Sequence, residues 1–205
     1  MANASPQSRW SITIWLSIAV LAASLAQYAA VGGVDGVRAV IRLTARTSLI
    51  LFLLTFTASA LARMVPTPTT QWLRRNRRYL GVAFAFSHLV HLVFIIIFWK
   101  SAPELFWQDR TPMSNIAPGI TYVLIFAMAA TSFDSTAKAI GPKAWKWLHL
   151  VGAYAIWISF AAAYGGRAVK DPFYMPFAIV VLLALVVRLA GRWYPRRLSS
   201  APATE

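Results

Sequence analysis

The run YLGVAFAFSHLVHLVFIIIFW, residues 79–99, contains no lysine, arginine, aspartate or glutamate. A bilayer hydrocarbon core of ~30 Å takes about 20 apolar residues as a helix. Backbone amides in lipid find no water, so a segment crossing it must be helical or belong to a closed barrel. A barrel strand would alternate apolar and polar residues over about ten positions, and this run does not alternate. It is predicted to cross a membrane as a helix, carrying His88 and His91 to a depth where polar rings need partners from the protein.

The rest of the chain has the same character. Of its 205 residues, 59% are hydrophobic and 13% charged, with a mean hydropathy of +0.59. That charge content is about half the roughly 25% of soluble domains, and a soluble domain of this size could not hide so much apolar surface in one core. Five further spans are predicted at about 11–31, 47–62, 116–133, 147–164 and 172–189. The first is longer than the 7–15 residues of a signal-peptide core, so it is read as a helix that stays in the membrane. The fold class expected is an all-α integral membrane protein, a bundle of six transmembrane helices with the lipid bilayer as its first partner. Residues 1–10 form a cytoplasmic N-terminal segment, 11–194 the bundle, and 195–205 a disordered cytoplasmic tail.

Orientation follows from lysine and arginine in the connections. One side holds Arg9; Arg63, Arg74, Arg75, Arg77 and Arg78; Lys138, Lys143 and Lys146; and Arg188, Arg192, Arg196 and Arg197, thirteen in all. The other holds Arg38, Arg42 and Arg46; Lys100 and Arg110; and Arg167 and Lys170, seven in all. Both termini are therefore expected in the cytoplasm, with the chain a multi-pass protein of the cell (inner) membrane. The net charge of +14 does not point to nucleic acid, because the basic residues sit at helix ends, where this rule and anionic head groups explain them.

Several chemistries are excluded. The chain has no cysteine, hence no disulfide, thiolate metal site or cysteine nucleophile. No glycine-rich nucleotide loop appears, and the connections are too short for a flavin or nicotinamide domain. The six acids, Asp35, Glu104, Asp109, Asp134, Asp171 and Glu205, all fall in predicted connections or the tail.

The three histidines remain. His88 and His91, three apart, share a helix face that should point into the bundle, since ionisable groups rarely face lipid. The plain reading is hydrogen bonding between helices. His149, in WKWLHL, opens the fifth span, which runs in the same direction as the third. Imidazoles on two facing helices can hold a haem iron from both sides. His88 and His91 lie on one face of one helix, so they cannot be the two ligands of one haem. A bis-histidine haem must use His149.

RRYLGVAFAFSHLVH, residues 77–91, resembles the Arg-Arg-x-Leu-Gly…His signature of the ferric-reductase-like transmembrane family. Within that family, the likeness is to the haem-binding membrane subunits of periplasmic protein-methionine-sulfoxide reductases. TSLILFLLTFTASALARM is similar to the family's second helix. ATSFDSTAKAIGPKAWKWLHLVGAY resembles its Thr-Ser…Leu-Gly-x-x-Trp-x-x-Leu-His…Tyr stretch, with Ile140 for the leucine and one extra residue before Trp145. The likeness covers roughly residues 40–165. It implies a b-type haem protein passing electrons across the membrane, from quinol or a flavin-carrying partner to an outer acceptor or partner reductase. It assigns iron ligation to His91 and His149, with His88 outside the signature. Where the family carries a second fifth-helix histidine, thirteen residues on, this chain has Ala162.

That departure matters for depth. At 1.5 Å per residue, His91 lies ~20 Å along its helix from Arg78, and His149 ~5 Å from Lys146. The difference of ~15 Å is too large for one iron, and His88 reduces it to ~10 Å. Either His88 serves as the third-helix ligand or haem binding is altered or lost. Arg75 and Arg78 are candidates to pair with haem propionates, and Trp99, Trp107, Trp145, Trp147 and Trp193 read as interfacial anchors. Three functions follow: a haem electron-transfer subunit, probed by its colour; a haem-less assembly subunit of the same fold; and a small transporter using His88 and His91. A transporter would favour intramembrane acids or broken helices at matching positions.

Overall fold

The computed structural model describes residues 6–108 and 110–194, with side chains from residue 10 onward. Residues 1–5 of the expected N-terminal segment, Asp109, the expected tail 195–205 and the side chains of Arg9, Arg196 and Arg197 lie outside the described residues. The described residues are helical: α1 (Pro6–Val31), α2 (Gly33–Met64), α3 (Pro68–Ser101), a one-turn α4 (Pro103–Trp107), α5 (Ile116–Ala130), α6 (Asp134–Ala168) and α7 (Met175–Trp193). Six helical segments are long and apolar enough to cross a membrane: the α1, α2, α3, α5, α6 and α7 regions.

The helices run longer than the apolar runs suggested. α2 has 32 residues, α3 34 and α6 35, where about 20 suffice to cross the hydrocarbon. The expected connection holding Arg38, Arg42 and Arg46 is absent. These residues belong to α2, and Gly32 alone separates α1 from α2. Gly32 and Gly33 have φ of +71° and +56°, a conformation that glycine adopts without steric cost, so the chain reverses in almost no length. Arg74, Arg75, Arg77 and Arg78 likewise lie on α3. A helix satisfies its backbone in head groups and water as well as in lipid, so hydropathy marks where the lipid ends, not where the helix does.

Local signals fix the other ends. α3 starts on a reciprocal Thr67–Thr70 capping box, with Pro68 at its first position, which satisfies two orphan donors. In α6, Gly141 (φ +77°) followed by Pro142 breaks the helical backbone. The segment carrying Trp145 and His149 therefore leaves the Asp134 turn at a new angle.

One end of the bundle is tied by aromatic and basic side chains. Trp10 stacks on Phe133 at 5.1 Å and meets Tyr79 edge-on. Arg78 pairs with Asp134 at 2.7 Å, and Arg63 donates to the Gly191 carbonyl. The start of α1, end of α2, starts of α3 and α6 and end of α7 thus meet there, as an up-and-down arrangement requires. The main core lies between α2, α3, α5, α6 and α7, around Phe52, Phe84, Ile125, Ile156, Phe160 and Val181. Ile14, Trp15, Ile18 and Leu25 on α1, and Leu182, Leu183 and Val186 on α7, face outward, as lipid-facing side chains do.

α2 and α7 approach through small residues. A Cβ added to Gly191 would come within 2.7 Å of Ala60 Cα. Without a hydrophobic drive in lipid, such close backbone packing is a main source of helix association. Gly191→Ala should destabilise the bundle by about 1–3 kcal/mol, read by unfolding in mixed detergent micelles, and Ala60→Gly in the same chain should restore part of the loss. Unchanged stability of Gly191→Ala would show that this contact is not close-packed.

Candidate functional site

The histidines occupy two levels. At the first, His88 and His91 project from one face of α3 with ring centroids 5.3 Å apart. His88 also packs against Phe84 at 5.2 Å, Tyr122 of α5 at 5.1 Å and Phe160 of α6 at 5.9 Å. Its Nδ1 is buried and has no hydrogen-bond partner, an uncommon state for a buried polar atom. His91 Nδ1 shares a 2.9 Å hydrogen bond with Thr44 Oγ1 of α2. Beside it, Ser87 meets Ser48 at 2.9 Å and Thr47 at 3.1 Å, and Thr44, Ser48 and Ser87 are fully buried. This seam joins α2 to α3 at bilayer depth, where each hydroxyl needs a protein partner.

Around that level stand cations without carboxylates. Arg46 lies over the Phe173 and Phe177 rings at 5.3 and 5.8 Å, Arg110 over Phe106 at 4.8 Å, and Arg167 over Tyr174 at 5.7 Å. Among the described residues, the ion pairs are Arg38–Asp35 and Arg78–Asp134, so these three arginines rest on aromatic faces.

At the second level His149 stacks on Trp145 at 4.2 Å, one turn apart on α6. Both side chains grip the end of α5: Trp145 Nε1 donates to the Thr131 carbonyl at 3.0 Å, and His149 Nε2 lies 3.2 Å from Thr131 Oγ1. Tyr122, beside His88, and Thr131, beside His149, are nine residues apart on α5, about 13 Å along the axis. On α6, Phe160 and His149 are eleven residues apart, about 16 Å. The fold therefore brings His88 and His91 together and keeps His149 apart from them. Ala162 is exposed on α6.

A cavity of about 500 Å³ opens beside His149, a size typical of sites for cofactor-sized ligands. Phe52, Phe56, Phe84, Ile125 and Ile156 form apolar walls. Arg77, Arg78, Arg188 and Arg192 also line it, with Asp134 as the one carboxylate among its described lining residues. Arg188 is fixed by a 2.7 Å bond to the Phe56 carbonyl and lies 4.2 Å over the Phe56 ring, while Arg78 Nε is buried without a partner. An apolar slot with an imidazole on one wall and guanidiniums about it suits a flat, apolar, iron-bearing macrocycle with carboxylate arms. Of such a group's needs, His149 could supply an iron ligand and the arginines bidentate partners for carboxylates. Arg75, by contrast, does not line the cavity.

Trp145, expected from sequence as an interfacial anchor, braces His149. Its four-residue spacing from His149 was the available signal. Arg188 and Arg192 are expected from sequence only as topological charges, and Arg77 also as part of the Arg-Arg signature, because nothing local tells a loop cation from one lining a cavity. Thr44 and Thr131 carried no signal that could be separated from other membrane threonines.

A family profile described as "Ferric reductase like transmembrane component" matches residues 43–160, from within α2 to within α6. The chain is 28% identical over 137 residues to a protein named protein-methionine-sulfoxide reductase heme-binding subunit MsrQ in Herminiimonas arsenicoxydans, covering 64% of this chain and 62% of that one. It is 31% identical over 146 residues to a protein of the same name in Azospira oryzae, covering 65% of this chain and 60% of that one. The match to these relatives thus spans about three fifths of their length. No solved structure matches. With more than half of its length matched, a six-span helical architecture and histidines carried on α3 and α6, the chain belongs to the ferric-reductase-like transmembrane family.

Proposed function

We propose that the chain is a membrane-embedded b-type haem subunit that passes electrons from quinol or a flavoprotein to an extracytoplasmic acceptor or partner reductase. The observation that carries this reading is the cavity beside His149, with its apolar walls and four arginines. The names of the similar proteins, haem-binding subunits of a methionine-sulfoxide reductase, support the choice of cofactor and of partner class. A haem bound there would supply one-electron chemistry. His149 would ligate the iron, and Arg77, Arg78, Arg188 and Arg192 would hold its carboxylates. Phe52, Phe56 and Phe84 would keep water out.

A second ligand from α3 is proposed, which requires the α3 level and His149 to come closer than the about 13–16 Å along the helices that their contacts on α5 and α6 show. The family motif favours His91. Position favours His88, which packs on Phe84, a wall of the cavity, and has an unpartnered Nδ1. The haem-less reading draws on different contacts: His91 and His149 each already hold a threonine partner, as bundle histidines do. No carboxylate approaches the His88–His91 pair closely enough to form an ion pair among the described residues, which gives no support to a cation-transport reading.

The topology belongs to the same proposal. The bundle over 11–194 acts as one unit in the cell membrane, with both termini cytoplasmic. The end that gathers Arg63, Arg78, Arg188 and Arg192 supports that orientation, as the more basic side faces inward. The cavity with His149 would then open toward the cytoplasmic donor, and the His88–His91 level would lie toward the outer acceptor.

Purified after expression with haem supply, His149→Ala should lose the low-spin reduced spectrum. Of His88→Ala and His91→Ala, one should lose it and the other keep it, with His91→Ala expected to lose it. Wild-type spectra in all three variants would refute ligation by these histidines. A C-terminal alkaline phosphatase fusion should be inactive, and one in the loop after α3 active; the reverse pattern would overturn the topology. The chain reconstituted alone with NADH should turn over no NADH, because it has no hydride-accepting domain, and steady NADH oxidation would contradict the need for a donor partner.

A further inference from the structure

Thr44 and Thr131 make the same contact to different nitrogens. A threonine hydroxyl has one proton and two lone pairs. Thr44 Oγ1 donates to the Val40 carbonyl at 2.7 Å, which leaves its lone pairs toward His91 Nδ1, 2.9 Å away. With the hydroxyl so used, the His91 proton would sit on Nδ1 and the lone pair on Nε2. Thr131 Oγ1 places its proton on the Ala127 carbonyl at 2.7 Å, so toward His149 Nε2, at 3.2 Å, it too accepts. The His149 proton is then on Nε2. A buried neutral imidazole has one N–H, so its lone pair sits on Nδ1, the nitrogen nearer its own backbone.

Resting on the haem reading above, we propose that Thr131 is a positioning residue that competes with iron for His149 Nε2, while Thr44 holds His91 in the opposite, ligand-ready tautomer. Coordination through His149 Nε2 requires the Thr131 bond to open and the ring proton to move from Nε2 to Nδ1, with no change in net charge. Trp145 sets the frame for this exchange. It is bonded to the Thr131 carbonyl and stacked on the His149 ring, so it fixes the plane in which the ring meets Thr131. Groups that hydrogen-bond a ligating histidine fix its tautomer and tune metal affinity. Here one threonine presents a lone pair, and the other withholds it.

The test uses the full chain, labelled with ¹⁵N-histidine, in nanodiscs without haem. Wild type should show His91 protonated at Nδ1 and His149 protonated at Nε2. Thr131→Val should abolish the His149 preference without moving His91, Thr44→Val should do the converse, and Thr131→Ser and Thr44→Ser should restore the wild-type pattern. The same tautomer at both histidines, or valine variants with unaltered patterns, would overturn the assignment. In a haemin titration, Thr131→Val should bind about 10-fold more tightly than wild type, the low end of such outer contacts' effects, with Thr131→Ser close to wild type. Equal or weaker binding by Thr131→Val would overturn the competition. If wild type and variants all fail to take up haemin, the proposed function falls, while the tautomer pattern still decides the hydrogen-bond assignment.

Discussion

A bilayer gives a buried polar side chain no water to bind, and this constraint organises the interior of the molecule. The polar groups at depth are hydroxyls and imidazoles, and most are paired. Thr44 holds His91, Ser48 and Thr47 share Ser87, and Thr131 holds His149. Each of these bonds crosses between two helices, so the pairs set which helix faces meet as well as satisfying the groups. Interhelical bonds of this kind contribute modestly, on average ~0.6 kcal/mol each where measured in a membrane protein. Their larger effect is to make a mispacked bundle leave hydroxyls and rings unpartnered.

Against that background the unpaired groups stand out. His88 Nδ1, Arg78 Nε and Tyr154 Oη are buried without a partner among the described residues, the first beside a cavity wall and the second in the cavity lining. The cavity's positive lining would be costly to bury without anions, and a ligand with carboxylates would offset that cost. The two histidine levels stand at different depths in the bundle, His149 near the end that gathers Arg63, Arg78, Arg188 and Arg192 and the His88–His91 pair near three arginines resting on aromatic rings.

The architecture was largely legible in the residues, and the reason is physical. Lipid demands uninterrupted apolar helices, and residues 79–99 could be little else. Helix ends were less legible. The arginines of α2 and α3 interrupt the hydropathy but not the helix, so spans predicted at 47–62 and 79–99 grew to Gly33–Met64 and Pro68–Ser101. The separation of His149 from His88 and His91 could be anticipated by counting residues from the basic ends, and the folded contacts keep the same order of depth. The cavity could not be read. It depends on Arg188 of α7 turning onto Phe56 of α2, on the Gly141–Pro142 break that redirects α6, and on Trp145 and Thr131 meeting across a turn. Each of these is a meeting between residues distant in the chain, and one sequence without its relatives does not report it.

The central claim is that this bundle holds haem b, and an absorbance spectrum of the purified chain is the most direct measurement of it. Protein made with ample haem and purified in mild detergent should be coloured. Its dithionite-reduced spectrum should be that of a b-type haem, with pyridine extraction giving one haem per chain. A colourless, folded protein that stays colourless after haemin is added would contradict the account, leaving the histidines as partners of the threonines that bind them.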